Sequence, residues 1–335
     1  MTMNRTNVPY GVLADLNKWG YEAADNHYKA HPPLHKQGIC ELIPISEVEG
    51  EYLRMTTALS ITDVPERAEN EGISEAVPTE GFTVWLKKRR RDVIIPISYE
   101  LKRDFTRSRN FLEDFVKTNA APLYTKTVDQ GLTDLFNYGG YTAGDEVFRN
   151  TTPNFTDPSG AGVYDGTAAS PMCFFNRSGN NRTPKGHSTT YYNGIARNFS
   201  YDYLVEADTL LTATNAKMED GTPFVNTEGL ILMVHGANRV NAERVIKSNN
   251  SPDDANSFDN PMKNGYRIVI NPFIRTASAW AIGRAGFGIK LALGPMQVNF
   301  WLENRTNEYA ASIGWDYIQG VWNYRLAVGS NWPTS

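Results

Sequence analysis

The sequence predicts an α+β protein in which a long helix packs against β-strands. Apolar residues recur every three or four positions over residues 111–136, which is typical of one amphipathic helix. Residues 82–87 and 296–303 instead alternate between apolar and mostly polar side chains, which is typical of strands with one buried face, and an apolar run at 93–95 follows the first of them. The chain is 41% hydrophobic and 21% charged, a globular composition that argues against wholesale disorder.

The first 50 residues have no strong period. Pro32, Pro33 and Pro44 interrupt any long element in this stretch. We interpret residues 1–50 as an extended arm with one short helix near residues 13–26. Because such an arm buries little of itself, we expect it to lie on a partner.

Residues 51–98 predict two strands joined by a long charged segment. Residues 51–62 are rich in threonine and apolar side chains, and residues 82–97 look strand-like from the alternation at 82–87 and the apolar run at 93–95. Between them, residues 63–80 carry six acidic side chains and one arginine. A hairpin of this kind is marginally stable alone, so we expect it to reach away from the body and to rest on another surface.

The long helix should run over residues 109–137, with Gly139 and Gly140 ending it. Its length would be roughly 40 Å at about 1.5 Å per residue. Pro122 lies inside the apolar stripe and has no backbone N–H to donate. We therefore expect a bend near residues 118–122.

Shorter elements are predicted in the rest of the chain. Residues 138–198 are rich in Gly, Asn, Ser and Thr and indicate loops. A last strand is expected over residues 318–328, with Gln319, Asn323 and Arg325 opposite its buried face. The other predicted elements are helices at 201–217 and 241–248 and strands at 230–234, 266–271 and 296–303.

Charge and cysteine content exclude several classes of protein. A net charge of -4 argues against a broad, tight nucleic-acid-binding surface. Cys40 and Cys173 lie far apart, which predicts two buried free thiols rather than a disulfide framework. The longest apolar run, residues 230–234, is too short to cross a bilayer. We expect a protein made in a reducing cytoplasm with no membrane partner.

Motifs for catalysis are missing from the sequence. The glycines of residues 283–288 are in the wrong order for a dinucleotide-binding loop and indicate a strand connection. His27, His31 and His35 are spaced for metal binding on one helix face, but the intervening prolines favour surface histidines in the arm. We predict no catalytic residue, metal or cofactor, and therefore no enzyme.

One dense charge cluster stands at the end of the predicted hairpin. This basic run comprises Lys87, Lys88, Arg89, Arg90 and Arg91. It could contact phosphates, remain solvated, or pair with the acidic segment of a neighbouring copy. We favour the last interpretation, because opposite charges complement each other across interfaces. The acidic candidates are Glu66, Glu69, Glu71 and Glu75.

Aromatic residues leave a second functional hypothesis open. Seven tryptophans and seventeen tyrosines could line a sugar-binding face, as in a β-rich hydrolase or a carbohydrate-binding protein. Aromatic side chains also fill cores and interfaces, and many of these lie in phase with strand alternation. The alternation favours the core interpretation.

Four stretches, in their order along the chain, resemble one known family. Residues 96–104 end an apolar strand with Ser-Tyr-Glu-Leu and a following Asp, and residues 229–240 join an apolar strand to a short helix. Residues 298–309 run into a turn with Glu303, Arg305 and Tyr309, and residues 324–328 form a closing strand. Together they resemble the major capsid proteins of tailed bacteriophages, which have the fold named after phage Hong Kong 97.

This resemblance implies a division of the chain into five parts. They are an N-terminal arm (1–50), an extended hairpin loop (51–98), a spine helix with the peripheral domain (99–140), an axial domain with a loop-rich insertion (141–262), and return strands of both domains (263–335). The function implied is self-assembly into pentamers and hexamers of an icosahedral shell that encloses double-stranded DNA.

The resemblance also implies partners and a location. No N-terminal stretch resembles the helical scaffolding segment of some members, so a separate scaffolding protein is implied. A portal protein, a cement or decoration protein and non-specifically packaged DNA complete the implied partners. The protein would be part of the virion after assembly in the cytoplasm of a bacterial host.

Overall fold

The computed structural model describes residues 32–48, 50–58, 80–97, 116–137, 174–175, 192–217, 227–250, 259–303 and 308–332. Within these ranges the chain forms two five-stranded sheets, a two-stranded hairpin and three α-helices. The mixture of helices with largely antiparallel sheets confirms the predicted α+β class. The helices are α1 (Ala121–Asn137), α2 (Tyr201–Thr209) and α3 (Arg239–Lys247).

Twelve strands are present in the described ranges. They are β1 (Glu41–Pro44), β2 (Tyr52–Ala58), β3 (Glu80–Lys87), β4 (Arg89–Ile97), β5 (Gly194–Ile195), β6 (Ile231–Val234), β7 (Arg267–Ile270), β8 (Trp280–Gly283), β9 (Ile289–Leu293), β10 (Gln297–Glu303), β11 (Glu308–Val321) and β12 (Ala327–Ser330). Strands β2 and β3 pair antiparallel as the predicted hairpin.

The larger sheet is organised around β11. Strand β4 pairs antiparallel along one side of β11, while β10 and then β9 pair antiparallel along its other side. Strand β1 adds to β9 in parallel. One face of β11 lies against α1, where the ring of Trp315 meets that of Tyr124 edge-on at 5.0 Å.

Helix α1 matches the predicted long helix in its apolar stripe and in its end. Leu132, Leu135 and Phe136 are almost fully buried. At the C-terminus, the Asn137 side chain accepts a hydrogen bond from the N–H of Arg275 and donates one to the carbonyl of Phe273. A π-helical turn over Val116–Ala120 precedes α1, at the place where Pro122 predicts an irregularity. Residues 109–115 lie outside the described residues.

The smaller sheet has the order β5-β12-β8-β6-β7 and is covered on both faces. Met233 and Ala281 face a core shared with α1 and the larger sheet. Leu232 and Trp280 face the opposite core, which α2 and α3 cover. Central strands buried on both faces read as continuous apolar runs, which is why residues 230–234 show no alternation.

Most of the short predicted elements are present with shifted ends. Strands β6 and β7 and helix α3 confirm the predictions at residues 230–234, 266–271 and 241–248. The predicted helix at 201–217 is shorter, because α2 passes into a π-helical turn at Leu210–Thr214. The glycine-rich residues 283–288 connect β8 to β9, as predicted.

Residues 32–48, which belong to the predicted arm, pack on the body of the chain. The backbone N–H groups of Leu34 and His35 donate to the buried carboxylate of Asp129 on α1, and β1 pairs with β9. Ile39 and Cys40 are buried in the shared core. The prolines interrupt any regular sequence pattern in residues 32–48, but these residues still pack against α1 and β9, which are distant in sequence.

His35 also corrects the prediction of a surface histidine. It is 3% exposed, and its Nδ1 lies 2.8 Å from Asp129 Oδ1. The carboxylate thus holds the start of the 3-10 turn Leu34–Gln37 by three contacts, which satisfies polar groups that would otherwise be buried without partners. His27 and His31 lie outside the described residues.

The predicted last strand over residues 318–328 is in fact two strands in different sheets. Strand β11 ends at Val321 in the larger sheet, a 3-10 turn follows at Tyr324–Leu326, and β12 joins the smaller sheet. Gln319 and Arg325 are buried rather than exposed. The side chain of Gln319 donates a hydrogen bond to the carbonyl of Gly131, and that of Arg325 donates one to the carbonyl of Lys217, so both polar groups have partners in the interior. The alternation of side chains in the sequence continues from β11 into β12, although the two strands belong to different sheets.

Candidate assembly surface

The basic run lies where the hairpin joins the larger sheet. Lys87 ends β3, Lys88 links the two strands, and Arg89 begins β4. Arg91 pairs with Trp315 in the β4–β11 ladder, so it shares the face that α1 covers. Arg90 pairs with Asp316 and points to the opposite face. The three arginines of the run therefore lie on both faces of the larger sheet.

Lys87, the first residue of the basic run, forms an ion pair within its own subunit. Lys87 Nζ lies 2.7 Å from Glu51 Oε1, and the N–H of Lys88 donates to the carbonyl of Glu51 at 2.7 Å. Both charged side chains are well exposed, so solvent screens this pair and its contribution to stability is small. One acidic partner of the basic run is therefore Glu51, at the base of the same hairpin. The sequence-based prediction, which paired the run with a neighbouring copy, did not include this residue.

Arg90 is bound on the exposed face. Its Nε donates to both carboxylate oxygens of Asp92, at 3.0 and 2.9 Å, and its Nη2 donates to Gln297 Oε1 on β10 at 3.1 Å. The hydrogen bond to Asp92 raises the pKa of Arg90. Since both residues are about half exposed, this pair orients the side chain more than it stabilises the fold.

Arg91 is the member of the run that reaches α1. Its Nη1 donates to the carbonyl of Thr127 at 3.3 Å, and its guanidinium lies over the ring of Tyr317 at 5.0 Å. Planar stacking together with a forked donor set is the geometry that arginine provides and lysine does not. Arg91 thus serves the packing of its own subunit.

Lys88 and Arg89 are the remaining members. No ion pair of either side chain occurs among the described residues, and Arg89 Nε is buried there without a hydrogen-bond partner. The acidic candidates Glu66, Glu69, Glu71 and Glu75 lie outside the described residues. Pairing between the basic run and the acidic segment of a neighbour therefore stays a prediction, and Lys88 and Arg89 are its best-placed members.

Exposed apolar side chains lie on two edge strands of the larger sheet. Val93 and Ile94 on β4, next to the basic run, are 38% and 56% exposed, and Leu42 on β1, at another edge, is 48% exposed. Val93 and Ile94 are consecutive, so they point to opposite faces of the strand. Both faces of β4 are therefore partly uncovered, and no strand other than β11 pairs with β4 in the described part of the chain. Edge strands of this kind favour contact with another chain.

The described residues bear on three kinds of site that the sequence raised. Their His, Cys, Asp and Glu side chains contain no cluster that could hold a metal ion. Burial raises the pKa of the Cys40 thiol to about 12, which makes it a poor nucleophile. Trp280, Trp315 and Trp332 are buried in the cores, so they do not line a sugar-binding face. In the same ranges, no helix is long and apolar enough to cross a membrane.

Sequence comparisons do not identify the chain. No family model matches it, and no curated protein matches it.

Solved structures share its fold over most of its length. A chain from the capsid of Ralstonia phage GP4 has a TM-score of 0.54 at 10% identity, covering 87% of this chain and 86% of that one. A chain from the capsid of cyanophage P-SCSP1u has a TM-score of 0.52 at 9% identity, covering 89% and 87%. A chain of Mycobacterium phage Patience has a TM-score of 0.52 at 11% identity, covering 96% and 88%. This chain has the fold found in those phage capsids.

Proposed function

We propose that this chain is the major capsid protein of a tailed bacteriophage. One observation carries the proposal: chains from two phage capsids match nearly the whole chain in three dimensions, each with a TM-score above 0.5. The order of the four sequence motifs points to the same family independently. A shell protein needs surfaces for its neighbours rather than a catalytic site, in keeping with the bound and exposed groups around β4.

The two sheets fit the two domains that such a protein would need. We assign the larger sheet with α1 to the peripheral domain and the spine helix. The smaller sheet with α2 and α3 is assigned to the axial domain, and the hairpin β2–β3 to the extended loop. In this arrangement the chain enters the larger sheet through β1 and passes between the sheets at the connections 283–288 and 322–326.

Assembly would use many weak contacts. Copies of the chain would form pentamers and hexamers, in which identical contacts repeat around closed rings and add through multivalency. We propose that Lys88 and Arg89 contact the acidic segment of a neighbouring hairpin, while Lys87, Arg90 and Arg91 mainly serve their own subunit. Val93 and Ile94 would be covered by a neighbouring copy.

The further partners belong to the same proposal. They are a separate scaffolding protein, a portal protein, a possible decoration protein and packaged DNA contacted without sequence specificity. The finished protein would reside in the virion after assembly in the host cytoplasm. A structural protein of this kind would have no enzymatic activity and no cofactor.

A direct experiment separates this function from a hydrolase or a carbohydrate-binding protein. Purified protein is analysed by light scattering and negative-stain electron microscopy over a range of concentrations. A capsid protein should form rings, tubes or shells, whereas the alternative should remain a small discrete species. Persistence of a small species at high concentration, also with the phage's own scaffolding protein added, would contradict the proposal.

A further inference from the structure

The hairpin and the larger sheet share one continuous strand path. Strand β3 ends at Lys87 and β4 begins at Arg89, with Lys88 as the single residue between them. The direction in which the hairpin leaves the body is therefore set by whatever fixes the first residues of β4 and the last residues of β3.

One side of this junction is fixed by an apolar contact. Leu86, near the end of β3, is fully buried. It packs directly on the backbone at Gly320 of β11, where a Cβ would come within 2.3 Å of Leu86 Cδ2. A glycine at position 320 is therefore required for this close approach.

The other side is fixed by Arg91. Its guanidinium stacks over Tyr317 and donates to the carbonyl of Thr127 on α1. Beside that carbonyl, a Cβ at Gly131 would lie 3.2 Å from Arg91 Nη2 and 3.2 Å from Gln319 Oε1. Glycine is unfavourable inside a helix, so the space that it leaves for these two side chains explains its presence in α1.

We infer that Leu86 and Arg91 form a two-sided clamp that holds the hairpin at a fixed angle to the larger sheet, and that this angle sets the geometry of the assembled shell. The inference rests on the proposed function. Leu86 packs on the face of the larger sheet opposite α1, and Arg91 lies on the face next to α1. Small changes of hairpin angle repeat at every subunit and would therefore change the curvature of the whole assembly.

Arg91→Lys tests the clamp, and Arg90→Lys is the matched control. Lysine keeps the charge but loses the fork and the planar stacking. In Arg91→Lys, amide hydrogen exchange over residues 80–89 should rise by about fivefold, the size expected for losing one such hydrogen bond. Its particles should show a broadened or shifted diameter distribution in electron micrographs. Arg90→Lys, altered on the exposed face, should match the wild type in both measurements.

Gly131→Ala provides a second route if Arg91→Lys fails to fold. Alanine favours the helix, so a purely structural view predicts an equal or more stable protein. The clamp predicts instead that the added Cβ displaces Arg91, with faster exchange at residues 80–89 and altered particle diameter at an unchanged melting temperature. A substituted protein with wild-type exchange and wild-type diameters would overturn the inference. Failure of the wild type itself to form particles would instead contradict the proposed function.

Discussion

The two sheets of this protein bury their strands in different ways. In the smaller sheet, the residues of β6, β8 and β12 are buried on both faces, between the shared core and the core beneath α2 and α3. In the larger sheet, β11 is packed against α1, yet the outer strand β4 has exposed apolar side chains on both of its faces. One sheet holds the subunit together, and the other offers surface at its edge.

This difference explains how one chain could be both stable and able to assemble. Burial on two faces gives the smaller sheet most of its stability without any partner. In the described part of the chain, β4 is a partly apolar edge strand of the larger sheet, of a kind that a monomeric protein would normally protect. A protein built to contact many copies of itself needs both properties.

Charges placed on the two faces of the smaller sheet should test this contrast most strongly. Leu232→Asp and Met233→Asp put a carboxylate on opposite faces of β6, both fully buried. Each should cost more than about 4 kcal/mol of unfolding free energy, because the charge has no partner in either core. We expect insoluble protein or loss of a cooperative thermal transition, whereas the conservative change Met233→Leu should remain folded.

Sequence patterns predicted those elements that carry their own signal. The stripe of α1, the alternation of β3 and the apolar runs of β4 and β6 are each visible in the local sequence. The junction between β11 and β12 was missed because alternation continues through it, although the chain changes sheets. Periodicity reports which side chains are buried but not which sheet buries them.

The candidate surface was predicted only in part, for a related reason. The basic run was found from its charge, but its partners Glu51, Gln297 and Thr127 lie on other elements. The Asp129 anchor of residues 32–48 was also missed. A lone acidic residue inside an apolar helical stripe was the available signal, since a buried carboxylate needs donors from elsewhere.

The anchor itself provides the second test. Asp129→Ala removes the acceptor of the Leu34 and His35 N–H groups and should lower the unfolding free energy by about 1–3 kcal/mol. Cys40 is buried nearby with a pKa of about 12, so it should resist a maleimide in the native protein and react faster in the variant. Peptide mapping by mass spectrometry separates Cys40 from Cys173. Equal melting temperatures and equal labelling would refute the anchor.

Truncations test where the N-terminal arm ends. Deleting residues 1–31, which lie outside the described residues, should leave a cooperatively folded subunit with impaired assembly. Deleting residues 1–45 also removes β1, Leu34 and Ile39, and should abolish folding or lower the melting temperature sharply. Circular dichroism with thermal melting distinguishes the two deletions. A stable 46–335 fragment would show that residues 32–45 are dispensable after all.

The smallest expected effect on stability lies on the larger sheet. Ile94→Asp, at a side chain 56% exposed, should change the unfolding free energy by no more than about 0.5 kcal/mol. If a neighbouring copy covers Ile94, the same change should nevertheless reduce particle yield strongly. Ile94→Val serves as the control that keeps the apolar contact. Normal particle yield with Ile94→Asp would place the contact surface elsewhere.

We propose that copies of this chain close into a shell through the edge of the larger sheet. Cryo-electron microscopy of particles assembled from the purified protein, with its scaffolding protein if required, would test this contact. We expect a closed shell with fivefold and sixfold rings, in which Val93 and Ile94 of β4 are covered by a neighbouring copy. Particles that leave β4 exposed, or protein that forms only a small discrete oligomer, would contradict it.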